Sequence, residues 1–132
     1  MRKLRVMFLF VPVLIMVACS GGNTPEDVAE KFNKAVYSAN FEGAKALCTE
    51  DSKQAVDFVA ALVSENVEQM KKSDVKYEIQ QVKISDDGKS ADVEGVVLGS
   101  LDFETNQVKD SVGSKLHLIK VNDKWLVDYK LK

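Results

Sequence analysis

Few side chains in this sequence could carry out nucleophilic, acid–base or metal chemistry. The chain has one histidine, His117, and two cysteines, Cys19 and Cys48. Nucleophilic catalysis needs a serine or cysteine beside an imidazole or another base, and a zinc site needs several histidine, cysteine or carboxylate ligands. His117 alternates with Lys115 and Ile119 along a predicted strand, which is typical of a partly exposed histidine. We therefore expect no catalytic residue, no metal and no cofactor.

The aromatic residues point to a second kind of chemistry, the binding of a small apolar ligand. Isomerase-like proton transfer would need a carboxylate base and phenol donors inside one pocket, and Tyr37, Tyr77, Tyr129 and Asp128 supply such groups. Asp128 alternates out of phase with Tyr129, so we expect it on the opposite face of the sheet. A packed core is the alternative explanation for the five aromatic residues that are candidates for lining a pocket: Phe32, Phe58, Phe103, Trp125 and Tyr129.

The first 18 residues have the organisation of a secretory signal peptide. Three basic residues are followed by an uncharged run over residues 6–18, and these thirteen residues are too few for a membrane span, which needs about 20. The run ends in Met16-Val17-Ala18-Cys19, which resembles the lipobox of bacterial lipoproteins. That resemblance implies cleavage before Cys19 and a diacylglyceryl group on its sulfur. An ordinary secretory peptide with an incidental cysteine is the alternative.

The lipobox resemblance also implies a location. Two or more acyl chains hold a protein stably in a bilayer, so the lipid bilayer would be the partner of Cys19. Residues 19–23 would form the lipidated cysteine and a short tether. In many Gram-negative bacteria an acidic residue directly after the lipidated cysteine retains a lipoprotein at the inner membrane, and this chain has Ser20 at that position. The resemblance therefore favours the outer membrane, facing the periplasm.

From Cys19 onward the chain holds 15 basic and 20 acidic residues, a net charge of −5, which argues against nucleic-acid binding.

Helical patterns come first in residues 24–132, which we interpret as a single domain. Thr24-Pro25-Glu26-Asp27 is a typical helix start, and this helix is expected to end at Asn40. A short second helix is expected over residues 41–48, with Cys48 buried on its apolar side. The third helix has an apolar stripe of Val56, Val59, Ala60, Val63, Val67 and Met70, which Ala55, Phe58 and Leu62 widen.

After Asp74 the apolar period changes from helical to alternating, which predicts four antiparallel strands. A bulge is expected near Gln80-Gln81, and residues 85–89 are expected to form a hairpin turn. The second strand is expected over residues 90–103, and Gly95, Gly99 and Gly113 mark bends. Helices followed by a meander predict an α+β fold, with the helices on one face of a curved four-stranded antiparallel sheet in the shape of a cone.

Three segments carry a resemblance to a known superfamily. They are the opening residues 24–32, Phe41-Glu42-Gly43-Ala44-Lys45, and the closing residues 121–128. The chain resembles the nuclear-transport-factor-two-like (NTF2-like) superfamily, and within it short lipoproteins described as lumazine-binding-like, with a cystatin-like α+β cone. The superfamily includes enzymes such as ketosteroid isomerase and many non-catalytic members, so the resemblance alone does not decide the function.

These observations favour a membrane-anchored envelope lipoprotein whose non-catalytic domain binds a small ligand or a partner protein. The alternative is an isomerase- or hydratase-like enzyme acting on a small apolar molecule in the cone. Helices cover only one face of a four-stranded sheet, and Val96, Leu98 and Leu126 belong to the other face. Exposed apolar patches often mark interaction sites, so we expect this face to dock a second copy, as a homodimer, or an envelope protein.

Overall fold

The computed structural model describes residues 23–102 and 107–129. The helices are α1 Pro25–Tyr37, α2 Phe41–Lys45, α3 Glu50–Leu62 and α4 Val67–Lys72, with a 3-10 turn at Ser64–Asn66. The strands are β1 Lys76–Ile84, β2 Ser90–Leu98, β3 Leu101–Asp102, β4 Gln107–Val108, β5 Val112–Val121 and β6 Lys124–Val127. Residues 1–22, with the predicted signal peptide and Cys19, lie outside the described residues, as does Phe103.

Four strands form the main sheet in the order β1-β2-β5-β6, with all neighbours antiparallel. The short strands β3 and β4 pair with each other as a separate two-stranded sheet. Helix α1 packs against the main sheet, and its apolar residues share a core with the inward-facing residues of the strands. The structure therefore confirms the predicted α+β fold, with helices on a four-stranded antiparallel meander.

The helices begin where the sequence offers polar caps. The Thr24 hydroxyl accepts a hydrogen bond from the Asp27 amide at 3.1 Å, and Pro25 occupies the first turn. Helix α1 ends at Tyr37, three residues before the predicted end, because Ala39 adopts a positive φ of 65° and reverses the chain. Asn40 instead starts the next helix, since its side chain accepts from the Gly43 amide at 3.1 Å.

The core lies between α1 and the inner face of the sheet. Strict alternation along β2 sends every second residue inward, and fully buried side chains from both layers meet there: Val28, Ala29, Phe32, Val56, Val93, Val97, Leu118 and Val127. Gly95 is needed on this face, because a Cβ there would clash with the backbone carbonyl of Glu78 and would lie 2.7 Å from the ring of Tyr77. The ring of Tyr77 thus fills the space that a side chain at position 95 would occupy.

The long third helix predicted from the sequence is broken in the structure. Helix α3 ends at Leu62, and the 3-10 turn separates it from α4. Val56, Val63 and Met70 are buried as expected, but Phe58 is 54% exposed and Leu62 is 67% exposed. The prediction that these two residues widen the buried stripe is wrong, because a helix turns about 100° per residue and both lie on the side away from Val56.

The second predicted strand is also shorter than expected. It ends at Leu98, because Gly99 has a positive φ of 78° and turns the chain into β3. The predicted bulge is confirmed by a register shift between Ile79 and Gln81, and the hairpin turn closes through an amide of Ser85 that donates to the Ser90 carbonyl at 2.9 Å. None of the helices in the described part of the chain is long and apolar enough to cross a membrane.

Candidate functional site

A cavity of about 200 Å³ lies between the second half of α1 and the first half of β5. Tyr129, just after β6, closes one side of it. We call this space the α1–β5 cavity. Its lining consists of Phe32, Asn33, Val36, Tyr37, Gly113, Ser114, Lys115, Leu116 and Tyr129.

Helical spacing explains why α1 supplies four neighbouring groups to this cavity. Residues four apart lie on the same side of a helix, so Phe32 and Val36 share one row and Asn33 and Tyr37 share the next. The ring of Phe32 packs against that of Tyr129, with centroids 5.1 Å apart and planes tilted by 58°. A tilted arrangement at this separation is favourable for aromatic pairs, and it holds the segment after β6 against the helix.

A buried polar pair joins the helix to the sheet beside the cavity. Asn33 is 3% exposed, and its side-chain amide donates to the Ala29 carbonyl at 3.1 Å. Its side-chain oxygen accepts a hydrogen bond from the Ser114 hydroxyl at 2.9 Å. Buried polar groups are costly unless they are paired, so this pair fixes the position of α1 relative to β5. Neither Asn33 nor Ser114 was predicted from the sequence as a site residue.

Two phenol groups give the cavity its polar character. Burial raises the pKa of Tyr37 above its usual value. Burial also raises the pKa of Tyr129, and the nearby phenol of Tyr37 adds to that effect. Both tyrosines are therefore neutral at physiological pH. A neutral phenol both donates and accepts hydrogen bonds, so the cavity combines apolar walls with hydroxyl groups.

The five aromatic residues predicted to line a pocket do not all meet. Phe32 and Tyr129 line the α1–β5 cavity. Trp125 is buried in the core near the start of α1, where its amide donates to the side chain of Asn23 at 2.8 Å. Phe58 is exposed on the outer side of α3, so it is not part of the cavity.

The residues with the strongest catalytic potential lie elsewhere. His117 is on the outer face of the sheet, with its Nδ1 atom 2.9 Å from a carboxylate oxygen of Asp92, and both side chains are nearly half exposed. Cys48 is buried, as the sequence predicts, and burial raises the pKa of its thiol. Among the described residues that line the cavity there is no carboxylate, imidazole or thiol. Within residues 23–102 and 107–129, no cluster of three potential metal ligands is found.

The outer face of the sheet carries the three apolar residues predicted to form an interface. Val96, Leu98 and Leu126 are all half-buried. Leu126 pairs with Ile119 across the strands, whereas Val96 lies opposite Gly113 and Leu98 lies opposite Lys76. Charged residues such as Glu94 and Lys115 separate these groups, and docking of a second copy or an envelope protein on this face stays a prediction.

A larger groove of about 610 Å³ lies at the surface beside α3. It runs from the α1–α2 connection to Asp57 and Lys71, and both charged and apolar side chains line it. The groove is wide open to solvent, so a small molecule in it would keep much of its hydration. Ligand sites are usually enclosed, and the α1–β5 cavity is the more enclosed of the two spaces, which favours it as the candidate site.

Two solved structures are similar to this chain. A crystal structure from Campylobacter jejuni, described as an NTF2-like transpeptidase, matches with a TM-score of 0.57 and 25% identity, over 81% of this chain and 99% of that chain. The intermembrane space region of the chloroplast protein ARC6 matches with a TM-score of 0.50 and 15% identity, over 82% and 92% of the two chains. No protein-family model and no curated protein matches the sequence. The helices on a four-stranded meander and these two neighbours together show that the chain has the NTF2-like α+β fold.

Proposed function

We propose that this protein is a lipid-anchored binding protein of the bacterial cell envelope, and that it holds a compact small molecule in the α1–β5 cavity. The observation that carries the proposal is the cavity itself, in which apolar side chains, two phenols and the fixed Asn33–Ser114 pair meet. In a ligand site, apolar side chains give contact area and placed polar groups fix the orientation of the ligand.

The size of the cavity limits the ligand. Pockets for drug-sized ligands usually have about 300–1,000 Å³, whereas this cavity has about 200 Å³. The ligand is therefore smaller than a steroid-sized molecule, or it enters with only one end. A single ring or a short branched chain fits a space of this kind.

The chemistry of the lining limits the ligand further. Phe32, Val36 and Leu116 provide apolar contact, and the neutral phenols of Tyr37 and Tyr129 are suited to donate hydrogen bonds to a carbonyl or ether oxygen. Lys115 is the charged residue among the described lining residues, and it is exposed. We therefore infer a neutral ligand that combines an apolar part with a hydrogen-bond acceptor.

An enzymatic function has less support in the cavity. The Campylobacter neighbour is described as a transpeptidase, and peptide transfer through a covalent intermediate needs an activated nucleophile. The hydroxyl of Ser114 donates to an amide oxygen of Asn33, which is not a base, and the thiol of Cys48 lies buried outside the cavity. An isomerase or hydratase would need a carboxylate among the lining groups, and the described lining residues hold none.

Ligand binding is tested by screening neutral aromatic and aliphatic ketones, amides and ethers against the purified protein with ligand-observed NMR. We expect saturable binding that weakens when Tyr37→Phe or Tyr129→Phe removes a phenol hydroxyl. Tyr77→Phe is the matched control, because Tyr77 is buried in the core and does not line the cavity. Binding that is unchanged in the first two variants, or lost equally in the third, would contradict this site.

The anchor is tested separately by metabolic labelling with a palmitate analogue. The lipobox residues 16–19 support a prediction that Cys19→Ala abolishes labelling and releases the protein from the membrane fraction. Cys48→Ala is the matched control, because a buried thiol is not available for acylation. Membrane association that survives Cys19→Ala would contradict the lipid anchor.

A further inference from the structure

The described chain starts at one defined end of the sheet. The amide of Trp125, the second residue of β6, donates a hydrogen bond to the side chain of Asn23 at 2.8 Å. Three residues lie between Cys19 and Asn23, and the four steps from one Cα atom to the next span at most about 14 Å. A lipid group on Cys19 therefore has to lie near the start of β6.

Two turns of the sheet lie at this same end. Residues 85–89 connect β1 to β2, and residues 122–123 connect β5 to β6. The Lys120 amide donates to the Lys89 carbonyl at 2.8 Å, which joins the two turns side by side. We call the surface formed by these two turns and Asn23 the tether end of the domain.

The tether end has a composition that suits a lipid surface. Lys89, Lys120 and Lys124 are exposed there, and the ammonium of Lys120 lies 5.6 Å from the centroid of the Trp125 ring. Lysines can reach the phosphates of lipid headgroups while their stems lie along apolar groups. Ile84 is 54% exposed and Val121 is 39% exposed at the same end. Lysine with aliphatic side chains is a combination found on proteins that lie on membranes.

Acidic residues share this surface and limit how strongly its charge attracts lipid. Asp86, Asp87 and Asp123 lie in the two turns. The carboxylate of Asp87 is occupied within its own turn, because it accepts from the Ser85 hydroxyl at 2.6 Å and from the Lys89 amide at 3.0 Å. The surface is therefore mixed in charge, as is a bilayer whose headgroups carry both phosphate and ammonium groups. The short tether, rather than net charge, holds the two together.

We propose that the tether end of the domain rests on the bilayer that holds the acylated Cys19, with Lys89, Lys120 and Lys124 among the lipid headgroups and Ile84 and Val121 against them. This inference rests on the lipid anchor of the proposed function. It goes beyond that function because it assigns a membrane-contacting surface and an orientation to the folded domain.

The orientation has a consequence for the ligand. Helix α1 starts at the tether end and has 13 residues, which at 1.5 Å per residue carry its other end about 20 Å away. The α1–β5 cavity lies along the second half of the helix, from Phe32 to Tyr37, which is about 10–18 Å from Pro25 along the helix axis. The cavity is thus held away from the bilayer, and its ligand arrives from the aqueous phase rather than from the lipid.

The test uses the lipidated protein in vesicles of phosphatidylethanolamine and phosphatidylglycerol that contain a lipid with a nitroxide on its headgroup. A fluorophore is attached to Lys124→Cys at the tether end or to Asp110→Cys near the start of β5, and both positions are exposed. Protein without an added cysteine shows whether the buried Cys48 takes up label. We expect strong quenching at position 124 and little at position 110.

Two results would overturn the inference, and they differ in what else they affect. Protein that floats with the vesicles but shows equal quenching at both positions, or stronger quenching at position 110, contradicts the orientation and leaves the anchor intact. Protein that does not float with the vesicles contradicts the anchor itself, and the orientation with it. A triple Lys→Glu variant at positions 89, 120 and 124 is expected to stay anchored and to show weaker quenching at a label placed on Val121→Cys, because the tether still holds that surface close to the lipid.

Discussion

The two halves of α1 pack against the same sheet in different ways. In the first half, Val28 and Ala29 are completely buried, and the fully buried side chains of Leu118 and Val127 belong to the same core. In the second half, Phe32, Asn33 and Tyr37 face β5 and Tyr129, and a cavity remains between them. Small side chains at one end of α1 let the helix pack closely on the sheet. At the other end, large rings and a polar pair leave space between the helix and the sheet.

This difference suggests that the two halves of α1 have different roles. The first half and the strands beneath it form a tightly packed base near Asn23, where the chain leaves toward Cys19. The second half forms the walls of the candidate ligand site. The comparison predicts that substitutions in the first half change stability, and that substitutions in the second half change binding more than stability.

The largest effect is expected for Leu118→Ala in the packed base. Leu118 is fully buried, and truncating such a leucine destabilises a protein by about 2–5 kcal/mol, because apolar contact is lost and a void is left. Urea denaturation measures the change in the free energy of unfolding. A change below about 1 kcal/mol would mean that the first half of α1 is not tightly packed on the sheet.

A matched pair of substitutions tests the space at the two ends of the helix. Ala29 and Val36 lie seven residues apart and so face the same side of α1. Ala29→Leu should destabilise the protein by about 1–3 kcal/mol, because added carbons have no room in the packed half. Val36→Leu should change stability by less than about 1 kcal/mol, because its extra bulk enters the cavity. Equal losses of stability in the two variants would show that the cavity cannot accommodate the larger side chain.

The polar pair should contribute less than the core but still measurably. Asn33→Ala leaves the Ser114 hydroxyl without its partner, and such a loss costs about 1–3 kcal/mol. The double variant Asn33→Ala/Ser114→Ala should be less destabilised than the sum of the two single variants, since the two side chains act as a unit. Additive losses in a double-mutant cycle would mean that the hydrogen bond does not couple the helix to the sheet.

The smallest effect concerns alkaline pH. Burial raises the pKa of Tyr37 and Tyr129 above the usual value of 10.0. Above that pH the unfolded chain releases phenol protons that the folded protein still holds. The two tyrosines therefore make their full contribution to stability below about pH 10, and this contribution is lost as the pH rises through the raised pKa values. The variant Tyr37→Phe/Tyr129→Phe should therefore lose less stability than the natural protein between about pH 9 and about pH 11. Identical slopes would place both phenols in a water-like environment.

Much of the fold could be predicted from the sequence because its signals are local. Thr24 and Pro25 mark the start of α1, and the change of apolar period after Asp74 marks the sheet. A bend at Gly99 was predicted, but not that β2 ends there, and the break after Leu62 was not predicted. Apolar spacing continues through both points while the backbone turns.

The site was predicted only in part. Phe32 and Tyr129 were chosen because they are aromatic, and the structure brings them together. Asn33 and Ser114 are 81 residues apart, and their contact depends on how α1 lies across β5, which no local pattern specifies. Phe58 lies outside the cavity, because an apolar residue on a helix does not have to face the core.

The most direct test of the central claim is a titration of isotopically labelled protein with a neutral ligand found in the screen, followed by amide NMR. The two ends of α1 should respond differently. Amide signals of Asn33, Tyr37 and Ser114 should shift in a saturable way, while those of Trp125 and Val127 at the packed end stay in place. Shifts confined to the outer face around Val96 and Leu126, or spread equally over both ends, would contradict the assignment of the α1–β5 cavity as the binding site.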